Sequence, residues 1–195
     1  MFKGCYTALV TPMLKNQEIN WEGLKSLVKF QASQGVSGIL AVGTTGESPT
    51  LEKKEQELVI EKVYEYSAGR VLTIAGTGGN CTRKAIENTR KAYKIGVRAV
   101  LLVDPYYNGP SSLEIRREYI APIAEMFPEV QVIPYVIPGR TGTQLLPQDL
   151  AILHSEYSNV RAVKEATGNL ENMKLTRTFC GKDFDILPEG ISKKP

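Results

Sequence analysis

The chain has 195 residues, of which 42% are hydrophobic and 23% are charged. This composition fits one globular domain with a sizeable core and excludes an intrinsically disordered chain. The 24 Lys and Arg residues against 21 Asp and Glu residues leave a net charge of +3 without a dense basic block, so we expect no nucleic acid and no membrane partner. No apolar stretch reaches the ~18 residues of a membrane helix and the start lacks a signal-peptide layout, which predicts a cytoplasmic protein.

Strands and helices alternate along the predicted secondary structure. In chain order we expect a strand at 5–10, a helix from the Asn20 cap to Gly35, a strand at 37–42, a helix at about 51–67, a strand at 71–76, a helix ending at Gly96, a strand at 98–103, a helix to about 127, a strand at 131–135, a helix near 148–156, a strand at 160–164, a helix near 170–179 and a strand at 184–187. The strands are continuous apolar runs, which is typical of a parallel sheet buried on both faces.

The repeated strand and helix units predict an α/β fold. Polar residues follow many strands and not one switch point, which favours a TIM (β/α)8 barrel over a doubly wound sheet. A complete barrel has ~250 residues, so we expect an incomplete one. Our prediction is a single domain over 1–195 with about seven βα units, truncated after the seventh strand, without the eighth strand and the C-terminal helical region.

Cysteine and histidine give no sign of metal chemistry. The cysteines Cys5, Cys81 and Cys180 are far apart and form no C-x-x-C pair, so we expect reduced thiols with no disulfide framework and no zinc site. The single histidine, His154, lies in a run of helical period, where a surface or helix-end position is more common than metal ligation. We therefore expect no bound metal.

Two glycine-rich turns follow the second and third strands. In GTTGES, Gly43 permits a tight turn, and the hydroxyl and backbone N–H groups at Thr44 and Thr45 could hold a carboxylate. An ordinary capped turn explains the same pattern equally well. The second turn, AGTGGNC, has Cys81 where a dinucleotide fingerprint requires glycine, which disfavours a nicotinamide enzyme.

Aromatic and basic residues follow the next strands. Tyr106 and Tyr107 lie in a loop, where tyrosines often pack across a subunit contact. Tyr135 ends the fifth strand, and Arg140 follows in a loop fixed by proline and glycine. An arginine held in this way is suited to carboxylate recognition, although many loop arginines are simply solvated.

Lys164 ends the sixth strand, which would direct its amine into a barrel mouth. Burial and a neighbouring cation would lower its pKa and free the nitrogen lone pair for attack on a carbonyl carbon. A lysine at a strand end more often extends its ammonium into solvent. The presence of Tyr135, Arg140 and the GTTGES turn at neighbouring strand ends favours the nucleophile.

Several motifs together resemble the dihydrodipicolinate synthase family, within the pyruvate-dependent class I aldolase superfamily that includes N-acetylneuraminate lyase. They are LVTP (9–12), GTTGES (43–48), AGTG (75–78), PYYNGPS (105–111), Y-x-I-P-G-R-T-G (135–142) and VKEATGN (163–169). The resemblance runs in order to about Leu187 and implies a barrel-fold lyase of lysine and diaminopimelate biosynthesis. Its reaction would be the Schiff-base condensation of pyruvate with L-aspartate 4-semialdehyde to 4-hydroxy-tetrahydrodipicolinate.

The resemblance also implies roles for individual residues. Lys164 would form the imine with pyruvate, and no metal or dissociable cofactor would be needed. Tyr135 would transfer protons together with Thr44 and with Tyr107, which in the family reaches over from the neighbouring subunit of a tight dimer. The carboxylate of pyruvate would lie at Gly43, Thr44 and Thr45, and Arg140 would bind the carboxylate of the semialdehyde. The family's usual state is a homotetramer of tight dimers.

Departures from the family pattern leave alternatives open. Val136 replaces the usual asparagine after Tyr135, and PEGISKKP stands where the family continues into its eighth strand. Among the positions of the family's lysine-feedback pocket are Lys53 and Lys84, whose charges would oppose binding of a lysine effector. The alternatives are a sugar-acid lyase or aldolase of the same superfamily, and a catalytically impaired truncated remnant.

Overall fold

The computed structural model describes residues 2–189 of the chain. Through this range strands alternate with helices, as the apolar runs predict. The strands are β1 (Tyr6–Ala8), β2 (Gly38–Ala41), β3 (Leu72–Gly76), β4 (Ala99–Val103), β5 (Gln131–Val136), β6 (Ala162–Glu165) and β7 (Asp185–Pro188).

These strands follow one another in chain order, from β1 to β7, in one sheet. Pairs with a defined register are parallel, with Ala8 opposite Leu40 and Lys164 opposite Leu187. Sequential parallel strands separated by helices form the wall of a (β/α)8 barrel. The predicted α/β class, with seven of the barrel's βα strands, is therefore confirmed over residues 2–189, while the predicted end of the chain at 190–195 lies outside the described residues.

Helical structure lies between each two successive strands, as predicted, but it is divided into several segments after β4 and after β5. They are α1 (Trp21–Ser33), α2 (Lys53–Ser67), α3 (Thr82–Ile95), α4 (Ser112–Glu114), α5 (Ala121–Met126), α6 (Pro138–Thr141), α7 (Pro147–Glu156) and α8 (Leu170–Cys180). A short 3-10 helix (Ser48–Thr50) precedes α2, and a π-helical segment (Ile115–Ile120) joins α4 to α5. The segment predicted as a loop after β5 contains one helical turn, α6.

The described residues divide into two compact units. The N-terminal unit comprises residues 2–77 and 88–100, and the C-terminal unit comprises residues 78–87 and 101–189. The single domain expected over 1–195 stays a prediction.

In the N-terminal unit, α1 packs against α2 and β2. Leu24 and Val28 of α1 are completely buried, and burial of each such side chain contributes roughly 1.5–3 kcal/mol. The predicted cap is present, because Asn20 accepts a hydrogen bond of 2.9 Å from the Gly23 N–H. Docking and capping together therefore fix α1.

In the C-terminal unit, a buried asparagine fixes the start of β5. The Asn159 amide nitrogen lies 3.0 Å from each of three backbone carbonyl oxygens, those of Ala124, Phe127 and Val130. Its backbone carbonyl accepts a 2.9 Å bond from the Val132 N–H. Because carbonyl groups at a helix end have no partners within the helix, these contacts satisfy the end of α5 and hold the strand that carries Tyr135.

Candidate active site

Lys164 and Tyr135 lie side by side at the carboxyl ends of neighbouring strands. They are register partners in the parallel pair of β5 and β6. Residues opposite one another project to the same face of a sheet, and the Lys164 Nζ lies 3.9 Å from the centroid of the Tyr135 ring. The Lys164 nitrogen therefore lies over the face of a ring that is itself only 1% exposed.

The surroundings of Lys164 lower its pKa. Its side chain is 14% exposed. Burial lowers the pKa of Lys164 below the ordinary value of 10.5, and the Arg140 guanidinium also lowers it, whereas the charge and hydrogen bond of the Glu189 carboxylate oppose the shift. A lysine with a lowered pKa has a larger fraction of the free amine at neutral pH, which is the form that attacks carbonyl carbon.

Glu189 contacts both of these residues. Its Oε2 accepts a 2.8 Å hydrogen bond from the Tyr135 hydroxyl, and its Oε1 lies 3.4 Å from the Lys164 Nζ. The register explains this position, because Lys164 lies opposite Leu187 and Glu189, two residues further on, faces the same side. A hydrogen bond of 3.0 Å from the Glu189 N–H to the Glu165 carbonyl continues the ladder past β7.

Arg140 lies in α6, directly after β5. The turn begins at Pro138 and ends at Gly142, whose φ of +70° and N–H bond of 2.9 Å to the Pro138 carbonyl close it. A left-handed conformation of this kind suits glycine, which has no Cβ. Arg140 is exposed, and its charge acts on Lys164.

Asp104, directly after β4, is a completely buried carboxyl group. Its Oδ2 accepts a 3.0 Å bond from the Leu145 N–H, while its Oδ1 has no hydrogen-bond partner among residues 2–189. Burial raises the pKa of Asp104 to about 7, the Leu145 N–H opposes this rise, and the charge of Glu165 adds to it. The Asp104 N–H donates to the Tyr135 carbonyl at 3.1 Å, so this residue contacts both β5 and the segment after α6.

Glu165, also buried, joins β6 to α8. Its Oε1 accepts a 2.8 Å bond from the Thr167 N–H, and its Oε2 accepts a 2.7 Å bond from the Asn172 side chain. Asn172 in turn accepts a 3.1 Å bond from the Gln144 side chain. These bonds connect the strand that carries Lys164 to the segment between α6 and α7.

Tyr106 and Tyr107 lie in the loop after β4. Tyr107 is 90% exposed and has a φ of +83°, an uncommon conformation for a residue with a bulky side chain. Tyr106 is 37% exposed. Within its own chain, the Tyr107 side chain is therefore presented almost entirely to solvent.

The predicted carboxylate-binding turn belongs to the N-terminal unit. Gly43 is buried, and Thr44 and Thr45 are exposed. The turn is closed by a 3.0 Å bond from the Gly46 N–H to the Gly43 carbonyl, and Thr11 donates to the Gly46 carbonyl at 2.7 Å. The backbone of this turn is thus held in a fixed conformation with both threonines at its surface.

Within residues 2–189, no cluster of three or more His, Cys, Asp or Glu side chains could hold a metal ion. His154 has its Nδ1 2.7 Å from the Val160 carbonyl oxygen, and its ring packs on Phe184. No helix in that range combines the length and apolar character needed to cross a bilayer.

The structure brings together Lys164, Tyr135 and Arg140, whose roles stay predictions from the sequence. It adds three carboxylates that the sequence did not single out, Glu189, Asp104 and Glu165. Each of these three carboxylates lies at or just beyond the carboxyl end of a strand. In a barrel, polar residues at those positions are candidates for chemistry. That rule, applied to every strand end, could have found them.

Comparisons with known proteins agree with this architecture. The model of the family described as Dihydrodipicolinate synthetase family matches residues 1–190. A 4-hydroxy-tetrahydrodipicolinate synthase of Methanocaldococcus jannaschii is 46% identical over 173 residues, which cover 89% of this chain and 59% of that protein. One of Trichlorobacter lovleyi is 45% identical over 186 residues, 95% of this chain and 63% of that protein.

Solved structures give the same result. The crystal structure of dihydrodipicolinate synthase from Aquifex aeolicus matches with a TM-score of 0.90 and 38% sequence identity, covering 96% of this chain and 63% of that one. This chain therefore spans about 60% of the length of the relatives it matches. Since the family match extends over nearly all of its residues, the chain belongs to the dihydrodipicolinate synthetase family.

Proposed function

We propose that this chain forms the imine site of a lyase that condenses pyruvate with L-aspartate 4-semialdehyde to give 4-hydroxy-tetrahydrodipicolinate. The observation that carries the proposal is the environment of Lys164, a largely buried amine whose pKa is lowered chiefly by burial. Family membership supports the choice of reaction. The reaction would serve lysine and diaminopimelate biosynthesis.

The chemistry begins with attack of the free Lys164 amine on the ketone carbon of pyruvate. Loss of water leaves an iminium, whose positive nitrogen accepts the electron pair released when a methyl proton departs. The resulting enamine carbon attacks the aldehyde of the second substrate. The amino group of that substrate then displaces Lys164, which closes the ring and releases the lysine for another cycle.

Other residues would bind and protonate these species. Tyr135, whose ring centroid lies 3.9 Å from the Lys164 Nζ and whose hydroxyl bonds to the same Glu189 carboxylate as the amine, would act as the general acid and base. Arg140 would bind the carboxylate of the semialdehyde through paired N–H donors. For Gly43, Thr44 and Thr45, binding of the pyruvate carboxylate stays a prediction from the family resemblance.

Partners and cofactors follow from the same proposal. The reaction needs neither a metal ion nor a dissociable cofactor, because the lysine iminium itself accepts electrons. The exposure of Tyr107 supports a role across a contact with a second copy of the chain, in a tight dimer or a tetramer of dimers. A cytoplasmic location stays a prediction from the sequence.

Borohydride reduction in the presence of labelled pyruvate tests the imine. We expect a covalent pyruvate adduct on the peptide that contains Lys164 and loss of this adduct in Lys164→Ala. Lys174→Ala is a matched control, because the Lys174 side chain is 74% exposed and pairs with its helix neighbour Glu171 at 3.4 Å. A folded protein that gives no adduct would refute the proposal and favour a catalytically impaired remnant.

The acceptor is tested separately with the same protein. Product formation with aspartate semialdehyde, and none with sugar-acid or sugar aldehyde acceptors, is the expected result. If only sugar acceptors react, the chain is a lyase or aldolase of the same superfamily. Pyruvate trapping is common to both outcomes, so the imine and the acceptor are judged independently.

A further inference from the structure

The carboxylate of Glu189 connects the two groups on which the proposed imine chemistry depends. One oxygen lies 3.4 Å from the Lys164 Nζ and the other accepts the 2.8 Å hydrogen bond of the Tyr135 hydroxyl. The Glu189 side chain is 37% exposed, so it can exchange protons with solvent. Neither the motifs of the sequence nor the roles proposed above assign a function to this residue.

The backbone fixes Glu189 in this position. Pro188 ends β7 opposite Glu165, and the Glu189 N–H then bonds to the Glu165 carbonyl at 3.0 Å. This bond extends the parallel ladder by one residue, and strand alternation turns the Glu189 side chain to the face that Lys164 occupies. The contact therefore depends on sheet geometry and not on a freely rotating surface side chain.

We propose that Glu189 is a catalytic proton carrier in imine formation, taking a proton from Lys164 and delivering protons through Tyr135 to the departing ketone oxygen. This inference rests on the proposed function, since it concerns the formation of the same pyruvate imine. It adds a residue, and a proton path, to that function.

Proton transfers accompany formation of the carbon–nitrogen bond. The Glu189 carboxylate first removes a proton from the Lys164 ammonium. The amine lone pair then forms the carbon–nitrogen bond, and the carbonyl π pair moves to oxygen, which takes the Tyr135 proton. Glu189 returns its proton to the Tyr135 oxygen.

Dehydration repeats the same exchange. The carboxylate of Glu189 removes a proton from the nitrogen of the carbinolamine and supplies it, through Tyr135, to the hydroxyl group. The hydroxyl leaves as water while the nitrogen lone pair forms the double bond. The products are an iminium, water and the original carboxylate, so charge and atoms balance.

A simple ion pair predicts the opposite effect on Lys164. If Glu189 only paired with the ammonium, it would hold the proton on Lys164 and slow the attack. The hydrogen bond to Tyr135 distinguishes the two cases, because it gives the carboxylate a second partner that can pass a proton onward. The ionisable or charged groups that act on the Lys164 amine in the C-terminal unit are Glu189 after β7, Tyr135 on β5 and Arg140 on α6.

The experiment is borohydride trapping of labelled pyruvate, quenched at intervals, with wild-type protein and Glu189→Gln between about pH 6 and pH 9. Glutamine keeps the shape and can still accept the Tyr135 hydrogen bond, but it cannot carry a proton. We expect the rate of imine formation to fall about 10²-fold, the lower range for general acid–base catalysis. Glu189→Asp, which keeps a carboxylate, should recover part of the rate.

Glu171→Gln is the matched control, since Glu171 is exposed on α8 and its side chain pairs with the exposed Lys174. Equal trapping rates and pH profiles in wild type and Glu189→Gln would overturn the role of Glu189 while leaving the proposed function intact. Faster trapping in Glu189→Gln would also overturn it and assign Glu189 as a brake. No trapping by wild-type protein would overturn the proposed function itself, and the inference with it.

Discussion

Replacing Asp104 with asparagine should abolish a loss of stability that the native protein suffers as pH rises. Asp104 is completely buried, and its Oδ1 has no hydrogen-bond partner among the described residues. Burial raises the pKa of this carboxyl group to about 7. Near neutral pH it therefore holds a proton in the folded protein that it would lose in the unfolded chain. Asparagine resembles the protonated acid in shape and can accept the same bond from the Leu145 N–H.

The size of the effect follows from the two pKa values. The folded protein binds the Asp104 proton between the ordinary value of 3.8 and about 7, whereas the unfolded chain does not. Since the folded state binds more protons in this window, the free energy of unfolding falls as pH rises through it and is constant above it. At about 1.4 kcal/mol per pH unit, the full loss is about 4 kcal/mol, of which about 3 kcal/mol falls between pH 5 and pH 7.

Urea unfolding at a series of pH values from about 5 to 8.5 measures this difference. We expect Asp104→Asn to equal or slightly exceed the wild type at the acid end and to be about 3 kcal/mol more stable, relative to that starting point, above neutral pH. Asp183→Asn is the control, because Asp183 is exposed and should leave the pH dependence unchanged.

Parallel stability curves for wild type and Asp104→Asn would refute the reasoning. They would mean that Asp104 is ionised in the folded protein throughout the range. A difference that grows toward acid pH would be a stronger contradiction, because it would require the folded state to stabilise the charged carboxylate.

Three further predictions concern the proposed activity. Tyr135→Phe removes the hydroxyl that donates to Glu189, so pyruvate trapping should slow about 10²-fold while near-ultraviolet circular dichroism stays native. Arg140→Ala should raise the KM for aspartate semialdehyde about tenfold or more, the cost of a charged hydrogen bond, and leave the KM for pyruvate unchanged; an equal rise in both would contradict its role. Lysine should inhibit weakly or not at all in a steady-state assay, because Lys53 and Lys84 repel another cation, and potent inhibition at micromolar lysine would contradict this.

Most of the sheet could be predicted from the sequence, because strands of a parallel sheet are buried on both faces and appear as uninterrupted apolar runs. The fourth strand, predicted at 98–103, is found at Ala99–Val103. The helical details could not be predicted in the same way. Two examples are the π-helical segment Ile115–Ile120 and the short helix Pro138–Thr141. Both depend on local backbone hydrogen bonds, which the spacing of apolar residues does not predict.

The contacts of the candidate site also differ in whether the sequence predicts them. Lys164 and Tyr135 each end a recognisable strand, so a parallel register alone suggests that they meet. The strand-end rule makes Glu189 a candidate, but its contact with Lys164 could not be predicted from sequence, because that contact depends on the pairing of Lys164 with Leu187. A shift of one residue in that register would turn the Glu189 side chain to the opposite face. The sequence therefore does not predict contacts that depend on the relative register of two strands.

The side chains of Lys164 and Glu165, the last two residues of β6, project to opposite faces of the sheet. Lys164 faces Tyr135 and Glu189, whereas Glu165, the next residue, points to the other face and binds Asn172 of α8 at 2.7 Å. Asn172 holds Gln144 at 3.1 Å, in the segment that leads on from the turn carrying Arg140. The end of β6 thus carries the amine of the proposed imine on one face and is connected through the other face to the segment after Arg140. A substitution at Asn172 should therefore disturb binding of the proposed second substrate without changing the protonation of Lys164.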